Sequence, residues 1–446
     1  MMRKIIYATG LVLAITATSC KKYLDIVPVG QVIPRTVADF KKELNKAYSE
    51  ADYDKGLTLW RTDEVKMNES RSSDVERVRN HFIWDENGVT TTGLTFNWQK
   101  KYKIIFYANH LIQELPDATG GVAGEKEQLM GEAHLLRAYQ YFNQVNLYGK
   151  HYNAATAATD KAVPLIVKID MEEVAPRSTV KAVYDQIFTD LQTGLSLVNV
   201  DAFETASSYK FGKISGNALA TRIYLYTGQW EKALAAARAV LEKKNTLVDF
   251  NTSTELPTVY NSKEAILAYE VIYSAQMLLP AFVSDQLLSM YNAEGDLRLK
   301  RFYGKDSKGN NTVIKIKYAD NNYRQSFRVA EIYLSAAEAA ANLQQPEVAR
   351  TYLNTLKQNR LTPAFYQAEV TRVAALTGKA LLQEIYDERA RELAFEGHRW
   401  FDLRRTSQPA ITHMLKGKAY TLNALDARYI VRIPTEAIRY NPLLAD

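Results

Sequence analysis

The chain has 446 residues, 47% of them hydrophobic and 24% charged, a balance that excludes a wholly disordered polymer and allows a sizeable core. Formal charge is +6, and without Arg3 and Lys4 there remain 54 basic against 50 acidic residues, a net of +4. With no dense basic stripe, that balance gives no footing for a nucleic-acid partner.

Arg3 and Lys4 precede an apolar run from Ile5 to about Ala17, and the small residues Ala17, Thr18 and Ser19 lead into Cys20. This is the layout of a secretory signal, residues 1–19, whose apolar run is too short to span a roughly 30 Å hydrocarbon core. Cys20 is the single cysteine, so it cannot close an internal disulfide. Its junction resembles the lipobox of bacterial lipoproteins, which implies lipidation at Cys20; plain signal cleavage leaving a free thiol is the alternative. Residues 20–35, with prolines at 28 and 34, read as a tether.

Residues 36–244 form a first helical part. Thr36 caps an amphipathic helix to Tyr48, with Phe40, Leu44 and Ala47 on one face. Residues 49–96, rich in Asp, Asn, Ser, Thr and Gly, read as loops with short elements. Helices follow over Trp98–Leu115, Glu125–Tyr148 closed by Gly149, and Ser178–Val198 with Ser178 as cap. Lys213–Thr227 and Trp230–Lys244 form a tetratricopeptide-like pair: Gly228 turns the chain, Tyr224 and Trp230 pack, and Ala233 lets the backbones approach. Phe327–Leu343 with Pro346–Asn359 is a weaker echo.

Between the pairs, residues 245–323 read as a loop and hairpin insertion. EAILAYEVIY is strand-like, and RFYGKDSKGNNTVIKIKY reads as a hairpin alternating Val313, Lys315 and Lys317 against Ile314, Ile316 and Tyr318. Residues 324–446 close the chain, with a helix over Gly378–Glu396. There Glu384, Glu388, Glu392 and Glu396 recur every fourth residue and repel unless neutralised; Arg399, Arg404 and Arg405 are the candidate partners. Trp400, Phe401 and Leu403 are expected to pack the same junction. The expected fold is mainly α, one domain over residues 20–446: tetratricopeptide-like pairs as scaffold, a loop-rich face and a few short strands.

The string IYDERARELAFEGHRWFDLRR resembles the hallmark of the SusD/RagB family of Bacteroidota nutrient-binding lipoproteins. CKKYLD followed by VPVGQVIP, WQKKYKIIFYANHLI, HLLRAYQYFNQVNLYG, RVAEIYLSAAEAA and RIPTEAIRYNPLL agree with it in order. The resemblance implies an outer-membrane lipoprotein that covers a SusC-type TonB-dependent transporter barrel as a lid, captures a glycan, or a peptide, and hands it over. It also implies that the ligand surface is built by loops, here Trp60–Trp84 and Asn245–Tyr323.

The residues themselves show no catalytic signature. His81, His110, His134, His151, His398 and His413 fall into no ligand spacing, and there is no phosphate-cradling loop, GxSxG elbow or EF-hand, so no cofactor or metal is expected. Sugars are met by exposed aromatic rings with polar neighbours, which makes Trp60, Arg61, Trp84, Tyr273, Tyr291 and Tyr318 the candidate ligand contacts. Two rival readings stay open: a helical-repeat envelope scaffold without a small ligand, and a surface glycosidase using Asp63 and Glu64.

Overall fold

The computed structural model describes residues 34–86, 92–170 and 172–445. Helix α1 (Val37–Ser49) starts where the Thr36 hydroxyl accepts from the Asp39 amide at 3.2 Å and the Asp39 carboxylate accepts from the Thr36 amide at 3.3 Å. Helix α2 (Ser72–Phe82) lies in the stretch read as loops; its few apolar residues, Val75, Val78 and Phe82, are all buried. Helices α3 (Trp98–Glu114) and α4 (Glu125–Tyr148) follow as the pattern predicts. Helix α5 (Val180–Leu197) is capped by Thr179, whose hydroxyl accepts from the Ala182 amide at 3.1 Å, and not by Ser178.

Glycine sets the α4–α5 crossing. A Cβ on Gly131 would stand 2.8 Å from the Val198 nitrogen and 2.9 Å from the Gly194 oxygen, so only hydrogen fits. Arg137 clamps the same crossing through both oxygens of Asp190, at 2.9 and 2.6 Å. Helices α6 (Lys213–Tyr226) and α7 (Trp230–Lys243) form the expected pair, with Gly228 at φ +68° in the turn. Helix α8 (Val329–Asn342) packs against α7, against its partner α9 (Pro346–Gln358), and against α11 (Gly378–Glu392); α10 (Pro363–Ala374) lies between the last two in sequence. Buried apolar residues from Val37 to Leu444 make one continuous core.

The strands are short antiparallel pairs. β1 (Val65–Met67) pairs with β3 (Ala281–Val283), β2 (Ala265–Leu267) with β6 (Phe327–Arg328), β4 (Tyr303–Lys305) with β5 (Asn311–Val313), and β7 (Ile411–Leu415) with β8 (Lys418–Leu422). EAILAYEVIY therefore yields only three strand residues. The 303–313 hairpin is present, but its alternation stops at Val313. Lys315 and Ile316 are both buried, because Lys315 turns inward to Glu396 at 2.6 Å.

That ion pair belongs to a dry network on the inner side of α11. Arg298, Arg328 and Arg360 surround Glu392, at 3.2, 2.7 and 2.9 Å. Burial alone would raise the Glu392 carboxyl, but Arg360, Arg328 and Arg298 outweigh it and hold it well below the usual carboxylate range. Lys357 reaches Glu384 at 2.6 Å, Arg298 reaches Glu388 at 2.7 Å, and Glu264 joins through Arg360 at 2.6 Å. The glutamate spacing thus does mark a salt-bridge face, but its partners come from the insertion, from Arg328 at the end of β6, from Lys357 and Arg360 at the end of α9, and from Arg391 on α11 itself. The predicted partners serve elsewhere. Arg399 holds Asp63, Arg404 donates to the Gly149 carbonyl at 2.5 Å, and Arg405 pairs with Glu338 at 2.7 Å. Helix α12 (Arg399–Thr406) carries all three, and Trp400, Phe401 and Leu403 are buried at the junction as expected.

Candidate functional site

The structure corrects most of the expected ligand contacts. Trp60 is 0% exposed and its indole nitrogen donates to the Met277 carbonyl at 3.1 Å. Trp84 is buried, stacks on His413 with centroids 4.3 Å apart, and donates to the Arg61 carbonyl at 3.2 Å. Arg61 is buried beneath them, paired with Glu86 at 2.6 Å and lying over the Trp400 ring. Tyr273 and Tyr291 are buried too, donating to the Phe395 carbonyl at 2.9 Å and the Arg391 carbonyl at 2.7 Å. Loops rich in polar residues here fold their rings under themselves, so these five groups are filled with protein partners. Tyr318 is the exception, 42% exposed.

Asp63 and Glu64 are likewise engaged. Asp63 accepts from Arg399 at 2.8 and 2.7 Å. Glu64 is buried, accepts from the Phe395 amide at 3.3 Å, and is pushed up to about 8 by burial, with Asp63 alongside adding to the rise. Among the described residues, no group of three or more His, Cys, Asp or Glu side chains could hold a metal, and no helix is long and apolar enough to cross a membrane.

Among the described residues, two of the clefts exceed 600 Å³. The first, about 640 Å³, has Phe96, Trp98 and Tyr102 as floor and Val174 and Tyr440 on its rim. Its charged lining is acidic, Glu173 and Glu436, and the Tyr102 hydroxyl already donates to the Pro164 carbonyl at 2.9 Å. The second, about 610 Å³, is assembled from distant segments: the α6–α7 turn with Tyr226 and Trp230, the end of α8, the outer face of α11 with Gln383, Tyr386 and Asp387, and the run from α12 into β7. Tyr152, Asp63 and Arg399 also line it. His151, also in the lining, is pushed down to about 3 by burial and by Arg404 and Arg405, so it is neutral. In sequence Trp230 reads as a packing residue, and Tyr152, Tyr386 and Asp387 do not stand out. The available signal was a polar run at positions 383, 386 and 387, outside the glutamate face of the same helix.

Comparison with known families places the chain. The family model described as "Starch-binding associating with outer membrane" matches residues 22–225, and the model of the "SusD family" matches residues 290–443. The chain belongs to the SusD/RagB family. It is 22% identical to SusD-like protein P38 of Formosa agariphila, over 87% of this chain and 88% of that one, and 23% identical to SusD-like protein P2 of the same organism, over 89% and 90%. A SusD superfamily structure from Bacteroides thetaiotaomicron superposes with a TM-score of 0.77 at 21% identity, covering 92% of this chain and 99% of that one. A laminarin-binding SusD-like protein superposes with a TM-score of 0.62 at 21% identity, covering 83% and 92%. At such identities these structures establish a shared fold.

Proposed function

We propose that the chain is a cell-surface lipoprotein that captures an oligosaccharide and passes it to a SusC-type TonB-dependent transporter in the outer membrane. The carrying observation is the pair of family matches at both ends of the chain, one of them described by starch binding and the outer membrane. The laminarin-binding neighbour, a glycan binder on the same fold, supports a saccharide over a peptide. Capture and handover require binding alone. The geometry around Asp63 and Glu64 suits that, since one carboxyl is held by Arg399 and the other is buried, leaving neither free to flank a glycosidic bond. A binding screen by tryptophan fluorescence against oligosaccharides and short peptides, with product analysis, tests the reading. Saturable glycan binding without cleavage is expected; peptide binding alone, or released products, would overturn it.

The signal at 1–19 and Cys20 lie outside the described residues, and the lipid anchor is part of the proposal. The two or three acyl chains of a bacterial lipoprotein anchor stably, at about 0.8 kcal/mol per buried methylene. Cys20→Ala should release the protein from washed membranes of cells lacking the barrel; retention there would rule the anchor out.

A further inference from the structure

We infer that the cleft between the α6–α7 turn, the outer face of α11 and the α12–β7 run is the glycan-contacting surface, and that it takes uncharged oligosaccharides. This rests on the functional reading above and adds the place and the ligand class.

Three half-buried aromatic side chains line the cleft: Tyr152, Trp230 and Tyr386. Each is braced from behind. Tyr152 meets Tyr184 edge-on with centroids 5.0 Å apart, Trp230 folds back over Gly228, and the Arg405 guanidinium lies 5.9 Å from the Tyr386 centroid. Braced rings give a sugar face a platform that need not be ordered on binding. Among the described residues, the Tyr152 and Tyr386 hydroxyls and the Trp230 indole nitrogen make no hydrogen bond. Such groups, half-dry and unengaged, are what sugar hydroxyls satisfy. The Trp98 cleft differs in this respect, because its Tyr102 hydroxyl is already committed to Pro164.

The charges select the ligand class. Arg399 is committed to Asp63 and Arg405 to Glu338 and Asp402, so neither fork is open for an anion. Among the described residues, Asp387 has no cation, and its one side-chain partner is the Gln383 amide at 2.9 Å. Three carboxylates against two guanidiniums leave the lining net negative by one, with His151 neutral. A uronate or sulfate would meet Asp387 with no free cation to receive it, whereas a neutral glycan meets no such penalty.

The test is calorimetric titration of the chain from Lys21 onward, which keeps every described residue. The probes are a panel of neutral gluco-, manno- and xylo-oligosaccharides, and oligogalacturonate of matched length. Neutral ligands should bind saturably and oligogalacturonate should not. Trp230→Ala should weaken neutral binding at least about tenfold. Tyr386→Phe, which removes only a hydroxyl and keeps the fold, should weaken it a few-fold. Asp387→Lys, which turns the lining net positive, should admit oligogalacturonate. Neutral binding unchanged in both the Trp230 and Tyr386 variants would overturn the inference and leave the functional reading standing, as would tighter binding of oligogalacturonate by the unaltered chain. No glycan binding of either class would overturn both.

Discussion

Asp387 and Glu388 are neighbours in sequence on adjoining faces of α11, and they sit in different chemistry. Glu388 faces inward, dry, with Arg298 at 2.7 Å and Arg391 at 2.7 Å, as Glu384 and Glu392 are also met by guanidinium or ammonium groups. Asp387 faces the open cleft with a single amide for company. Both are carboxylates, but their partner counts differ. A buried carboxylate whose every oxygen is filled specifies how the insertion docks on the helix, while a partly wet one beside unengaged rings has capacity left for a ligand.

The inner face should break hardest. Glu392→Ala removes the one carboxylate that Arg298, Arg328 and Arg360 share and leaves three buried guanidiniums under-neutralised, and a loss of about 3–5 kcal/mol is expected by denaturant unfolding. A loss under about 1 kcal/mol would mean that the network contributes no more than a surface pair. Glu64, between the two regions, offers a pH signature. Its folded pKa of about 8 lies above the ordinary carboxyl range, so its contribution favours folding at low pH and is lost as pH rises through 8. Glu64→Gln should therefore gain stability over the parent progressively from about pH 5 to about pH 8, with a flat difference beyond. A pH-independent difference would contradict the burial-driven rise. The smallest effect belongs to Tyr318→Ala, an exposed ring outside both regions, where a change within about 0.5 kcal/mol is expected. A larger one would show a packing role for that ring.

The helices were legible because their signals are local: Thr36 as cap, Gly228 as turn and the apolar stripe of α5 are each read within a few residues. The glutamate face of α11 was legible for the same reason. Its partners were not, since Arg298, Arg328 and Arg360 arrive from three distant segments that only the tertiary fold brings together. Five of the six expected ligand contacts are buried. Trp60, Trp84 and Tyr273 sit in polar, turn-rich sequence, but those turns wrap over the rings, and each ring's polar atom is taken by a backbone carbonyl. Beyond the polar run at 383, 386 and 387, the cleft lining carries no spacing, being assembled from residues as far apart as Asp63 and Thr412.

Hydrogen–deuterium exchange of the chain with and without a saturating neutral oligosaccharide tests glycan capture at the cleft most directly. Protection is predicted in the Leu225–Trp230 turn, around Gln383–Asp387 and across 405–412, with exchange around Phe96–Tyr102 unchanged. Protection confined to the Trp98 cleft, or none anywhere, would contradict the account.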